Sequence, residues 1–283
     1  MPILMNLSSL HSISKMFIAT ISRFAEIRAC DPSGVFNCCP GFFSHSSHCL
    51  AIGWLFRNQE QTLIDPYKLG KKTTTEFIRE LRGFFPFLEQ TAAPRLQVLL
   101  EEVKANYKDY LCSETEEIVT EDSYKDALME DAWNRLLYIT PEQEQALQQL
   151  LQNLQEPIYL IANTNELNMH WLLTQFKKIA PDFSWNSGID ISTIQDRRPV
   201  PLGPNLYLCP SYRYGCWKYS KPGQDNIIDA VIASERLDPN QLTVVSPVPG
   251  DLQYVREAHH ITESQLKKPE EFFSGQYSLR KNQ

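Results

Sequence analysis

The sequence predicts an α/β protein: a doubly wound parallel sheet covered by helices, with a helical cap inserted as a second body. Three observations lead there. After Pro157, short apolar runs recur, each followed by a helical pattern, and this rhythm is that of βα units building a parallel sheet. Residues 60 to 156 instead read almost wholly as helix. The chain of 283 residues, 42% of them hydrophobic, is long enough to bury a sizeable core and still carry an insertion.

Taken in order, residues 1–23 contain no acid, have Lys15 and Arg23 as their only strong bases, and include several serines. This composition resembles a weak organelle-targeting leader, and the bland alternative is a loosely packed terminal extension. The segment is therefore assigned to an N-terminal extension outside the core. Residues 24–54 are assigned to the first piece of the core. Residues 55–156 form the cap. Thr75, Phe77, Ile78, Leu81 and Phe84 mark one amphipathic helix, and Ala127, Leu128, Ala132, Trp133 and Leu136 mark another. Thr140-Pro141-Glu142-Gln143 reads as a helix start, with Thr140 as N-cap, Pro141 at the first position and Gln143 closing a capping box. Leu147, Leu150, Leu151 and Leu154 then share one face.

Residues 157–283 complete the core. Ile158-Tyr159-Leu160-Ile161-Ala162 is the apolar run of a buried parallel strand. Asn163-Thr164-Asn165 caps the helix that follows it. Leu206 to Cys209 and Leu242 to Val245 are two further strands. One helix passes through Ile227, Ile228, Val231 and Ile232, and another begins near Asp251. The polar, Pro-containing stretch from Asn186 to Pro204 is expected to be a long loop.

Charge and cysteine usage narrow the function. Lys plus Arg number 27 against 34 Asp plus Glu, for a net charge of −7, which argues against general nucleic-acid binding. Ten acids and three lysines between Glu101 and Glu130 account for all of it, so the acidity belongs to the cap and the core is neutral. No stretch approaches the roughly 20 apolar residues of a membrane span. Seven cysteines in a chain of this size point to reduced thiols, hence a cytoplasmic location, with an organelle as the alternative.

In an open α/β sheet, ligands bind beyond the carboxyl ends of the strands. The residues placed there are Asp31-Pro32-Ser33-Gly34-Val35, Asn163-Thr164-Asn165, the polar segment around Lys221-Pro222-Gly223, and Ser246 to Asp251. A carboxylate nucleophile with a lysine beside it suits a hydrolase, and helix N-termini favour an anionic substrate.

Three stretches resemble the haloacid dehalogenase-like (HAD) superfamily, in the branch with a helical cap inserted after its first motif and a Rossmannoid core. Ala132-Trp133-Asn134, then Ile158 to Asn165 and His170-Trp171, are similar to one passage of that family. Lys221-Pro222-Gly223 with Asp238-Pro239 resembles its third motif and the run into its fourth. Asp31-Pro32-Ser33-Gly34-Val35 resembles its first, which implies a strand over Phe24 to Cys30 leading to Asp31. The resemblance implies Asp31 as the nucleophile that forms a covalent intermediate and Lys221 as the cation that orients it. Ser33, Asn163, Thr164, Ser246 and Asp251 would contact the substrate, and Asp31 with Asp251 would hold Mg2+.

Several positions depart from the family pattern. Ser33 replaces a second Asp, Ala162 a hydroxyl residue, and Ser246 and Pro247 the metal-binding acids. Mg2+ prefers an oxygen shell rich in carboxylate charge, and Asp31 with Asp251 offers little. Losing one such electrostatic element costs roughly 3–4 kcal/mol of transition-state stabilisation. The expectation is a HAD-like protein whose Mg2+-dependent phosphatase activity is lost or strongly impaired, and which acts by binding a small anionic ligand or a protein partner. The alternative is an active hydrolase using the Asp nucleophile. It would be either a phosphatase on a small phosphate ester or a metal-free enzyme similar to the 2-haloacid dehalogenases, whose Ser and Asp spacing Ser246 and Asp251 reproduce.

Other features have plainer explanations beside the chemical ones. Cys38, Cys39, His45, His48 and Cys49 cluster locally but match no standard zinc spacing, and read otherwise as a loop with buried thiols. His170-Trp171 reads as a packed helix pair, and His259-His260 as a helix end. The basic-aromatic stretch Tyr212 to Tyr219 could stack on a ring or meet an anionic partner, or simply pack over the sheet edge. A protein partner would use the cap or this stretch.

Overall fold

A computed structural model describes residues 1–6, 57–85, 88, 94–105, 120–134, 139–192, 196–219 and 224–278. Its centre is a six-stranded sheet of order β3-β4-β2-β1-β5-β6. The strands are β1 (Ile3–Asn6), β2 (Ile158–Ala162), β3 (Val200–Gly203), β4 (Leu206–Pro210), β5 (Thr243–Val245) and β6 (Leu266–Lys267). All neighbours run parallel except β3, which lies antiparallel on the edge of β4. The architecture is α/β with a mostly parallel sheet, as the βα rhythm predicts.

β1 corrects the assignment of residues 1–23 to an extension. Ile3-Leu4-Met5 forms the central strand, pairing Ile3 with Ile158 on one side and with Thr243 on the other. A central parallel strand is covered on both faces, so it carries a continuous apolar run instead of an alternating one, and Leu4 and Met5 are almost wholly buried. Only three apolar residues make that run. Its length, set by the few positions at which β2 and β5 can both bond to it, leaves little signal in the sequence. Asn186 to Pro204 likewise contains β3, which has three prolines in or beside it, Pro199, Pro201 and Pro204. Proline is tolerated on an edge strand because one side needs no ladder donor. Phe24 to Cys30 and the Cys38–Cys49 cluster fall outside the described residues.

The helices in chain order are α1 (Asp65–Lys68, entered through a π-helical turn, Glu60–Ile64), α2 (Thr74–Gly83), α3 (Pro94–Ala105), α4 (Glu121–Asn134), α5 (Pro141–Gln152), α6 (Glu166–Ile179), α7 (Ser211–Tyr214), α8 (Ile227–Ser234), α9 (Pro249–His259) and α10 (Pro269–Ser278). The capping box expected at Thr140 is formed, with Gln143 N–H donating to Thr140 Oγ1 at 3.2 Å and Thr140 N–H to Gln143 Oε1 at 2.9 Å. Asn165 caps α6 as predicted, its Oδ1 accepting from Asn168 N–H at 3.0 Å. Among the described residues no helix is long and apolar enough to cross a membrane.

The chain forms two compact units. The sheet unit takes the described residues up to 6, those of 68–71, and those from 139 onward. The helical unit takes the described residues of 57–67 and 72–134. The boundary of the insertion therefore differs from 55–156: α5 belongs with the sheet, where Gln148 Nε2 donates to the Ile179 carbonyl at the end of α6 (2.8 Å). Its leucine face is buried against that unit's core, which a helical periodicity alone does not distinguish from burial elsewhere. Within the helical unit, Phe77 stacks on Tyr67 with centroids 4.2 Å apart and meets Trp133 edge-on at 4.7 Å. Arg82 on α2 binds Asp122 and Asp126 on α4 at 3.1 and 2.7 Å.

Met5→Ala should lower stability by about 2–5 kcal/mol, the cost of a cavity in a core that relaxes only in part, measured by urea unfolding. An unchanged midpoint would show that β1 is not part of the folded sheet. Burial pushes the Cys209 thiol up to about 12, so it should resist iodoacetamide at pH 8 in the native state and react once unfolded, as peptide mass spectrometry would show.

Candidate functional site

The strand order locates a topological switch point before any side chain is considered. From β1 the chain proceeds to β2 and then β4 on one side, whereas β5 and β6 lie on the other. Connections thus leave in opposite directions beside β1, and ligands in open α/β sheets bind at such a switch point, outside the carboxyl ends. By register, Asn6 lies opposite Ile161 and Met5 opposite Val245. Asn6 and Ala162 therefore end β1 and β2, and Ser246 directly follows β5, at one edge of three adjacent strands.

The first buried charge here is Asp251, in the first turn of α9 and only 2% exposed. Its Oδ2 receives the Lys218 ammonium at 2.8 Å and the Ser246 hydroxyl at 2.6 Å. Ser246 Oγ in turn accepts from Val248 N–H at 3.1 Å, closing the turn that starts α9. A carboxylate near a helix N-terminus is favoured by the aligned peptide dipoles. Lys218 is also fixed through its backbone, whose N–H donates to Asn163 Oδ1 at 2.6 Å, while its ammonium lies 5.7 Å from the Tyr219 ring centroid. Thr164 N–H donates to the fully buried Ser211 Oγ at 2.9 Å, and that hydroxyl lies 2.7 Å from the Lys68 carbonyl.

α9 is held against α8 by a second cluster. The Asp229 carboxylate accepts from Asn226 Nδ2 at 2.7 Å and from Tyr254 Oη at 3.0 Å, and lies 2.8 Å from His259 Nε2. Burial and the neighbouring Asp229 push the Tyr254 hydroxyl up to about 12. Tyr219 stacks on Tyr254 at 5.7 Å. A Cβ at Gly250 would lie 3.1 Å from Tyr219 Oη, so glycine lets the first turn of α9 close on that ring.

Of the residues singled out from sequence, Asn163, Thr164, Ser246 and Asp251 are brought to this edge, while Asp31, Ser33 and Lys221 lie outside the described residues. Lys218 was missed. It stands in the stretch Tyr212 to Tyr219, which sequence offered as a surface for stacking or a partner, or as a stretch packed over the sheet edge. Tyr212, Arg213, Tyr214 and Lys218 are buried, in keeping with packing. The cause is local, since α7 turns in directly after β4 and its polar groups find partners inside. Tyr212 Oη donates to the Ile191 carbonyl at 2.6 Å, and Arg213 donates to the Asp190 carbonyl at 2.8 Å and to Asp196 at 2.9 Å. His170 sits on α6, where burial lowers its pKa and favours the neutral ring, in keeping with a packed role.

Among the described residues, the donor set at this edge does not fit Mg2+. Asp251 is the carboxylate described there, its Oδ2 already bonded by an ammonium and a hydroxyl, and no three His, Cys, Asp or Glu side chains converge among those residues. No family model matches the chain, and neither does any curated protein or solved structure.

Lys218→Met should cost about 3–5 kcal/mol of stability, because it leaves a buried carboxylate without its counter-charge. Combined with Asp251→Asn the loss should be clearly smaller than the two single losses added. Strict additivity in denaturant unfolding would show that the pair is not coupled.

Proposed function

We propose that this chain is a HAD-like protein that binds a small anionic ligand at the strand ends and whose Mg2+-dependent phosphatase chemistry is lost or strongly impaired. One observation carries this: the residues that end β1 and β2 and that follow β5 are Asn6, Ala162 and Ser246, an amide, a methyl and a hydroxyl. An amide has no anionic oxygen with which to attack a phosphoryl group, and a methyl donates no hydrogen bond to it. The acid that is present, Asp251, is occupied as the partner of Lys218.

Transfer of a phosphoryl group depends on compensating its charge as the bond breaks. Asp251 and Lys218 largely cancel each other's charge, which leaves dipoles to do the work. The starts of α6 and α9 and the amide of Asn163 suit binding an anion, and they supply neither a nucleophile nor a metal. The contact between Ser246 and Asp251 also favours a second reading, that of a metal-free hydrolase similar to the 2-haloacid dehalogenases, with Asp31 as nucleophile.

Purified protein should show no turnover of p-nitrophenyl phosphate above buffer with Mg2+, yet should bind inorganic phosphate in calorimetry. Mg2+-dependent turnover that disappears in Asp31→Asn would overturn the proposal. Chloride release from 2-chloropropionate, lost in the same variant, would establish the second reading in its place.

A further inference from the structure

We infer that a cavity beside β3 binds a zwitterion, an α-amino acid with an apolar side chain, and that the Arg213–Asp196 ion pair recognises its two charges. The inference goes beyond the strand-end reading and does not depend on it. The cavity has a volume of about 460 Å³, within the usual range of small-molecule sites. It lies in the sheet unit, between the stretch from Asn186 to Pro201 and Arg213 on α7. Asn186 closes that stretch onto β3, its N–H donating to the Leu202 carbonyl at 2.9 Å and its Nδ2 to the Pro201 carbonyl at 2.7 Å.

Arg213 is only 5% exposed, yet it lines this cavity. A guanidinium carries five N–H donors. Nη1 donates to the carbonyls of Asp190 at 2.8 Å and Ser192 at 3.4 Å, and Nη2 donates to Asp196 Oδ2 at 2.9 Å. Nε is buried and has no partner among the described residues. A buried donor left unmade is costly, so the guanidinium retains capacity for a further oxygen acceptor.

The charges on the walls select the ligand. Arg213 and Arg198 supply two cations, and Asp190 and Asp196 two carboxylates. Hydrogen bonds from Ser192 hold the Asp190 carboxyl below the usual carboxylate range. The four charges cancel, so a simple anion meets two carboxylates and a simple cation meets two guanidinium groups. An α-amino acid carries a carboxylate and an ammonium on one carbon. Its complement is a guanidinium and a carboxylate side by side, as Arg213 Nη2 and Asp196 Oδ2 are at 2.9 Å. The ligand's carboxylate on Arg213 and its ammonium on Asp196 close a ring of four alternating charges. The Asp196 side chain is 41% exposed and open to such a partner, whereas Asp251 is enclosed with Lys218. Asp196 is also held in place, its Oδ1 accepting from Arg198 N–H at 3.1 Å. Ile189, Pro199 and Pro201 add an apolar wall for the ligand's side chain.

The test is calorimetry on the full chain with L-phenylalanine, with 3-phenylpropionate, which lacks the ammonium, and with 2-phenylethylamine, which lacks the carboxylate. L-phenylalanine should bind about tenfold more tightly than either analogue, the scale of one lost charge-assisted hydrogen bond. Asp196→Asn keeps an oxygen for Arg213 and removes the charge that faces the ammonium. It should weaken L-phenylalanine binding about tenfold, while Asp182→Asn, at an exposed acid outside the cavity, should leave it unchanged. The comparison of the three ligands uses the native chain alone and decides the matter even where a variant fails to fold. No binding of L-phenylalanine, or equal binding of either analogue, overturns the inference. So does native affinity in Asp196→Asn, or an equal loss in Asp182→Asn. Phosphate binding at the strand ends is measured separately, and its failure leaves this inference standing.

Discussion

The pairing of β1 with both β2 and β5 holds the sheet together and orders its functional edge. Four residues contribute the backbone groups that both neighbours require. Ile3 N–H also reaches the Pro157 carbonyl at 2.9 Å, and Thr243 N–H reaches the Pro2 carbonyl at 3.0 Å. Buried backbone donors and acceptors must find partners, so without β1 the facing edges of β2 and β5 would be exposed together. The same registers align the ends of the three strands. Where Asn6, Ala162 and Ser246 lie relative to one another is a consequence of hydrogen-bond pairing, and the crevice inherits its geometry from it.

The charge buried beyond those ends sets a second constraint. Removing a carboxylate from water costs several kcal/mol even after relaxation, and Asp251 is almost fully enclosed. Its compensation comes from three sources at once: the Lys218 ammonium, the Ser246 hydroxyl and the first turn of α9. A lysine engaged in this way stabilises the fold and contributes little free positive potential to a ligand.

α9 transmits this arrangement to the outside of the sheet unit. Its first turn carries Asp251, its middle carries Tyr254, and its end carries His259, the last two meeting Asp229 on α8. One carboxylate with three side-chain partners around it ties the two helices together. Tyr219, between Lys218 and the Tyr254 ring, joins the two clusters through stacking and through its close approach to Gly250.

Most elements were legible because their signals are local. The capping box at Thr140, the Asn165 cap, and the apolar runs of β2, β4 and β5 depend on residues within a few positions of one another. Ser246 and Asp251 were legible as a pair, since a strand end and the helix start after it lie close by construction. β1 was not, because three apolar residues near a chain terminus say nothing of their partners more than 150 positions away. Lys218 was not, because its place in an aromatic, basic stretch suits a surface until α7 is seen to turn inward. The tie between Lys68 and Ser211 joins residues 143 apart and has no local trace. The sequence by itself determined the helices, their caps and the α/β rhythm, which follow from periodicity and short-range hydrogen bonding. Only the tertiary structure decided which strands lie at the centre and which lysine neutralises Asp251. Those outcomes depend on long-range pairing and on desolvation, and neither is encoded in the spacing of neighbouring residues.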